Sequence, residues 1–122
     1  MADLGTCTVS EETFGTVKKI TFTWTSDDDG KVTKTTTNAY SGEVIRLVTN
    51  PDDDAAPDDN YNVVINDEDG NDVLMGGGAT RDTATTEQVL ASSLGCVAND
   101  KLSLSITSAG AANKGVVYVY IR

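Results

Sequence analysis

Apolar side chains fall at every second position along most of this chain. In 19–25, Ile20, Phe22 and Trp24 alternate with Lys19, Thr21, Thr23 and Thr25, which predicts a strand with one buried aromatic face and one threonine-coated face. Tyr61, Val63 and Ile65 alternate with Asn62, Val64 and Asn66, and Leu102, Leu104 and Ile106 with Ser103, Ser105 and Thr107. In 116–121, Val117, Val119 and Ile121 share one face, and Val116, Tyr118 and Tyr120 the other. The expected core is Ile20, Phe22, Trp24, Val63, Ile65, Leu102, Leu104, Val117 and Val119.

Turn signals separate these segments. Asp29-Gly30 marks a tight turn, after which 31–37 is expected to return as the second strand of a hairpin. That return, Val32-Thr33-Lys34-Thr35-Thr36-Thr37, has little to bury. It reads as a sheet edge guarded by lysines, or as a strand to be covered by a neighbouring subunit. Val44-Ile45-Arg46-Leu47-Val48 is apolar on both faces apart from Arg46, which suits the inside of a sandwich or a subunit contact. Residues 50–60 hold two prolines and five aspartates without a large apolar residue, a solvated loop. Asp67-Glu68-Asp69-Gly70-Asn71-Asp72 makes a further turn, and Val73-Leu74-Met75 is expected to return from it. The 76–86 stretch is glycine-rich and flexible. A capping box at 85–88 and Gly95 fit a short helix, but the same residues serve equally as a strand. A strand or a single helical turn is expected there, because the other elements are all β.

The count is about seven to eight strands with a turn every ten or so residues. This pattern predicts an all-β fold, a single antiparallel β-sandwich or jelly-roll-like barrel over 1–122. A chain of 122 residues with 39% hydrophobic content supplies one core.

Charge narrows the partners. Nineteen acids against nine bases, with no histidine, give a net charge of −10. Such a surface repels phosphate backbones and anionic lipid, so neither nucleic acid nor membrane is an expected direct partner. The first residues lack the basic and apolar regions of a secretory signal, and no apolar run approaches the ~20 residues that cross a bilayer. Either the protein is made and used in the cytoplasm, with Cys7 and Cys96 as reduced, mostly buried thiols, or a leader has been processed away; a Cys7–Cys96 bridge is expected only of a protein that lives outside the cell.

The residues give little material for catalysis. Without histidine, neither a Ser-His-Asp nor a Cys-His pair can form, and no enzymatic activity or cofactor is expected. Twelve of the nineteen acids lie in three loop clusters, 27–29, 52–59 and 67–72. Asp67, Asp69 and Asp72 are the best candidate calcium ligands, because alternate carboxylates precede a glycine. The glycine comes early and no bidentate glutamate follows, so hairpin-turn chemistry explains the segment better. Gly76-Gly77-Gly78-Ala79-Thr80-Arg81 lacks the Gly-Lys-Ser/Thr that completes a phosphate loop. Val44, Val48, Tyr118, Tyr120, Thr35 and Thr37 are the candidate interface residues, with the tyrosines burying area while keeping a polar end.

The segments Thr21-Phe22-Thr23-Trp24-Thr25-Ser26, Gly42-Glu43-Val44-Ile45-Arg46-Leu47, Asp72-Val73-Leu74-Met75-Gly76 and Gly115-Val116-Val117-Tyr118-Val119-Tyr120-Ile121-Arg122 together resemble small virion proteins of tailed bacteriophages. The size is most similar to the capsid decoration (cement) proteins of that group. The resemblance implies a homo-oligomer, a trimer above all, bound to a major capsid or other virion protein, with the virion as its location and head stabilisation as its role. It also implies an extended arm that clasps the shell; the sequence shows no obvious one, and residues 1–12 are the candidate N-terminal arm. Head-tail or tail-associated phage proteins are the near alternative. A carbohydrate-binding or adhesive β-sandwich is a third; it would need exposed aromatics on a sheet face, which the expected burial of Trp24 opposes.

Overall fold

The computed structural model describes residues 5–122 as a nine-stranded antiparallel β-sandwich. The strands are β1 (Thr6–Phe14), β2 (Val17–Thr25), β3 (Val32–Thr35), β4 (Tyr40–Pro51), β5 (Asn62–Asn66), β6 (Glu87–Leu90), β7 (Cys96–Asp100), β8 (Ser103–Thr107) and β9 (Lys114–Ile121). One 3-10 turn, Ala91–Ser93, follows β6, so the ambiguous 86–94 segment is a short strand that runs into a single helical turn.

The larger sheet runs β1-β2-β9-β4-β6, and β7 pairs with β4 as well; the smaller sheet runs β3-β8-β5. Ile20, Phe22 and Trp24 from β2 and Val117, Val119 and Ile121 from β9 face Val32, Val63, Ile65, Leu104 and Ile106 of the smaller sheet. All nine core residues expected from the periodicity are buried. The tilted Trp24 and Tyr61 rings, with centroids 5.8 Å apart, join the two layers at one end. The indole Nε1 of Trp24 is buried without a hydrogen-bond partner, an arrangement that costs about 1–3 kcal/mol relative to a satisfied donor.

Several expectations are corrected. Residues 6–12 are not an arm: β1 pairs with β2 in unbroken register from Thr6↔Thr25 to Phe14↔Val17, through a two-residue turn opened by Gly15 at φ +61°. Residues 1–4 of the expected arm lie outside the described residues. The turn at Asp29-Gly30 is a corner, not a hairpin, since β3 pairs with β8 in the other sheet. Gly30 (φ +78°) has no room for a side chain: a Cβ there would lie 2.6 Å from the Gly110 nitrogen, where two turns pack. Val73 and Leu74 do not return as a strand. They dive into the core from a run of turns after one bridge, Asn66↔Asp72.

The run at 44–48 breaks strand alternation because β4 carries a register shift between Val44 and Arg46. The extra residue of a bulge puts Val44 and Leu47 on the same inner side, and both are fully buried. The bulge accounts for Val44 and Leu47, while Val48 lies on the other side of the strand. Cys96 is exposed and Cys7 half-buried, against the expectation of two buried thiols. Burial pushes the Cys7 thiol up to about 11, with Lys34 opposing the shift.

Candidate functional site

The outward face of the larger sheet is the surface on which candidate residues converge. On its three middle strands, β2 presents Lys19, Thr21, Thr23 and Thr25, and β9 presents Lys114, Val116, Tyr118 and Tyr120. After the bulge, β4 presents Arg46, Val48 and Asn50. Register aligns these residues in rows: Thr21, Tyr118 and Val48 in one, Lys19, Tyr120 and Arg46 in the next. Val48 is buried on this face, not between the sheets, while Tyr118 and Tyr120 are half-exposed.

Both tyrosines carry a cation. The Lys19 Nζ lies 5.2 Å from the centre of the Tyr118 ring, and the Arg46 Cζ lies 5.1 Å from that of Tyr120. The Arg46 Nε also donates to Gln88 Oε1 at 3.0 Å. Such contacts are worth about 0.5–1 kcal/mol at exposed sites and hold the charged groups flat on the sheet. Among the described residues, neither cation has an acidic partner; the one ion pair joins Arg81 and Glu87 at 3.8 Å.

The remaining interface candidates do not gather here. Val44 is fully buried between the sheets and offers nothing to a partner. Thr35 is exposed on the smaller sheet, where its hydroxyl meets that of Ser103 at 2.8 Å. Thr37 is exposed in the turn after β3, and its N–H donates to Glu11. One face is defined by Val48, Tyr118 and Tyr120, and the sequence did not indicate that Lys19 and Arg46 complete it. Arg46 stands directly opposite Tyr120 and Lys19 diagonally from Tyr118, neighbours that only the strand order β2-β9-β4 reveals.

The acidic loops are held by their own backbone. Asp67 Oδ1 accepts from the Asp69 and Asn71 N–H groups, both at 3.0 Å. Asp72 accepts from Ile65, Leu74 and Gly76. Asp69 is exposed, and no group of three metal-ligating side chains comes together among the described residues. The 27–31 turn repeats the 67–71 turn bond for bond. Asp27 Oδ1 accepts from Asp29 and Lys31 at 2.8 and 2.9 Å, the Asp27 N–H donates to the Lys31 carbonyl, and Gly30 donates back to Asp27. Each Asp-x-Asp-Gly segment is thus one aspartate stapling four residues, with glycine at positive φ in the fourth position.

A cleft of about 490 Å³ lies between the end of β1 and the start of β4, lined by Glu11, Thr13, Lys18, Asn38, Ala39, Tyr40 and Ser41. Its carboxylate is fully engaged: Glu11 accepts from the Thr37 N–H (2.9 Å), the Asn38 N–H (3.0 Å) and the Tyr40 hydroxyl (2.6 Å). Burial would raise the Glu11 pKa, but these three donors outweigh it and hold the carboxyl below its usual range. Burial first, and Glu11 second, push the Tyr40 hydroxyl far above its ordinary value. The group joins the edge of one sheet to the turn leaving the other.

No known protein family matches the chain, and neither a curated protein nor a solved structure is significantly similar to it.

Proposed function

We propose that the protein is a structural component of a bacteriophage particle, a decoration protein that binds the outer shell of the head as a homo-oligomer and stabilises it. The observation that supports this reading is the open outer face of the larger sheet. A sandwich needs one apolar face per strand, yet β4 and β9 also present Val48, Val116, Tyr118 and Tyr120 outward. Tyrosine and arginine are the residues that anchor protein contacts. Of the candidate calcium ligands, Asp67 and Asp72 are engaged in stapling their own turn.

The test is mass spectrometry of virus particles purified from the source, with copy number counted against the shell protein. Presence in fixed proportion to the shell, together with lower thermal resistance of particles stripped of it, is the expected result. A few copies per particle would assign it to the head-tail or tail apparatus, and its absence from particles would refute the proposal.

A further inference from the structure

The outer face and its rim carry opposite charge. Lys19, Arg46 and Lys114 are three of the chain's nine bases, and no acid lies among the outward residues of β2, β9 and the 46–50 part of β4; on the edge strand β1, the exposed Glu12 stands opposite Lys19 in register. Immediately beside Lys114 begins the 52–59 loop, fixed to β9 by the Asp52 N–H to the Lys114 carbonyl (3.2 Å) and the Lys114 N–H to the Ala55 carbonyl (2.7 Å). Asp52 is used within that loop, accepting from the Asp54 and Ala55 N–H groups. The carboxylates of Asp53, Asp54 and Asp58 are exposed and have no hydrogen-bond partner among the described residues.

We propose that this surface is self-complementary, and that the cation-bearing tyrosines Lys19–Tyr118 and Arg46–Tyr120 of one copy receive the acidic 52–59 loop of a second copy. The inference rests on the reading of this face as a contact surface and supplies its partner. Centred face-to-face pairing would set Lys19 and Arg46 against their own counterparts, a like-charge arrangement that disfavours it. An offset pairing, or a closed ring, brings the rim of one copy onto the middle of the next and matches charge. Arg46 is suited to a carboxylate, because its Nε is occupied by Gln88 and its two terminal nitrogens have no partner among the described residues. The tyrosine hydroxyls add further donors, since neither makes a hydrogen bond within the described chain.

Salt separates this contact from general repulsion. Net charge of −10 opposes any association over long range, and screening over about 8–10 Å removes most of that opposition by roughly 0.1–0.15 M salt. Beyond that range, added salt weakens the short-range pairs between the face and the loop. Sedimentation velocity of the purified protein from about 10 mM to about 1 M salt should therefore show association that rises and then falls. Lys19→Gln with Arg46→Gln should weaken it about tenfold or more. Lys19→Glu with Arg46→Glu should abolish it, with melting curves confirming that the variants are folded.

The decisive arm mixes two reversed proteins. Copies with Lys19→Glu and Arg46→Glu, and copies with Asp53→Lys and Asp54→Lys, should each stay monomeric alone and associate when mixed. A monomer at every salt concentration would overturn the inference. So would association unaffected by the face variants, or a mixture that fails to assemble. Absence of the protein from virus particles would refute the proposed function and leave these measurements unchanged.

Discussion

Replacing Glu11 by alanine tests whether one carboxylate ties the two sheets together. The side chain accepts three hydrogen bonds, two from the backbone of the 36–39 turn and one from Tyr40, whose ring is buried. Hydrogen bonds to a charged acceptor contribute about 1.5–3 kcal/mol each when shielded, and a buried donor left unpaired costs about 1–3 kcal/mol. Glu11 is only partly buried and the two backbone donors can turn to water, so the low end applies and the loss should be about 2–4 kcal/mol. With an unfolding entropy near 0.26 kcal/mol/K for a chain of this length, Tm should fall by about 8–15 °C. Thermal denaturation at neutral pH measures this directly. The pH dependence is a second readout. A carboxyl whose folded pKa is depressed contributes stability that is present above its unfolded pKa and lost as pH falls through the folded one. The gap in Tm between wild type and Glu11→Gln should therefore be widest near neutrality and close as the pH drops below the ordinary carboxylate range. A loss under about 1 kcal/mol, or a gap that is flat with pH, would refute the latch.

Phe22→Ala should cost about 3–5 kcal/mol by chemical denaturation, because its ring fills the space between the sheets; a cost below about 1 kcal/mol would mean that the face is not packed. The twin turns separate conformation from sterics: Gly70→Ala meets open space at φ +84° and should cost about 1–2 kcal/mol. Gly30→Ala adds a collision with the 109–110 backbone and should cost clearly more in the same assay. Excess chelator should leave Tm unchanged, since Asp67 and Asp72 of the 67–72 turn are bonded to backbone N–H groups; a fall of several degrees reversed by calcium would reinstate a cation site.

Strands with large alternating side chains were legible in the sequence, and the core built from Ile20, Phe22, Trp24 and their partners followed from period two alone. β1 was not legible as a strand. It is an edge that half-buries only Cys7, Val9 and Glu11 on its inner side, and small or polar residues in that role leave no hydrophobic alternation to detect. β7 was missed for a similar reason, with Val97 its one buried residue. The destination of β3 was illegible because an Asp-Gly turn signals a change of direction equally well at a hairpin and at a corner between sheets. At the candidate site, the tyrosines could be placed on one face from β9 alone. Their cations could not, because Lys19 precedes Tyr118 by almost the whole chain and meets it only through strand order.

The position of β9 constrains how the chain reaches its native state. It is the last strand in sequence, yet it lies between β2 and β4, with Lys18 opposite Ile121 on one side and Val44 opposite Ile121 on the other. Until residue 121 has left the ribosome, the larger sheet has a gap at its centre, and β2 and β4 each display an unpaired edge beside an uncovered apolar surface. The β1–β2 hairpin can form early, but it is not joined to β4 until β9 fills the place between them. Pairings that span most of the chain close slowly, because loop entropy must be overcome before any contact compensates. Folding is therefore completed only after synthesis of the last strand, and the nascent chain passes through an interval in which strand exchange with a neighbour competes with its own closure.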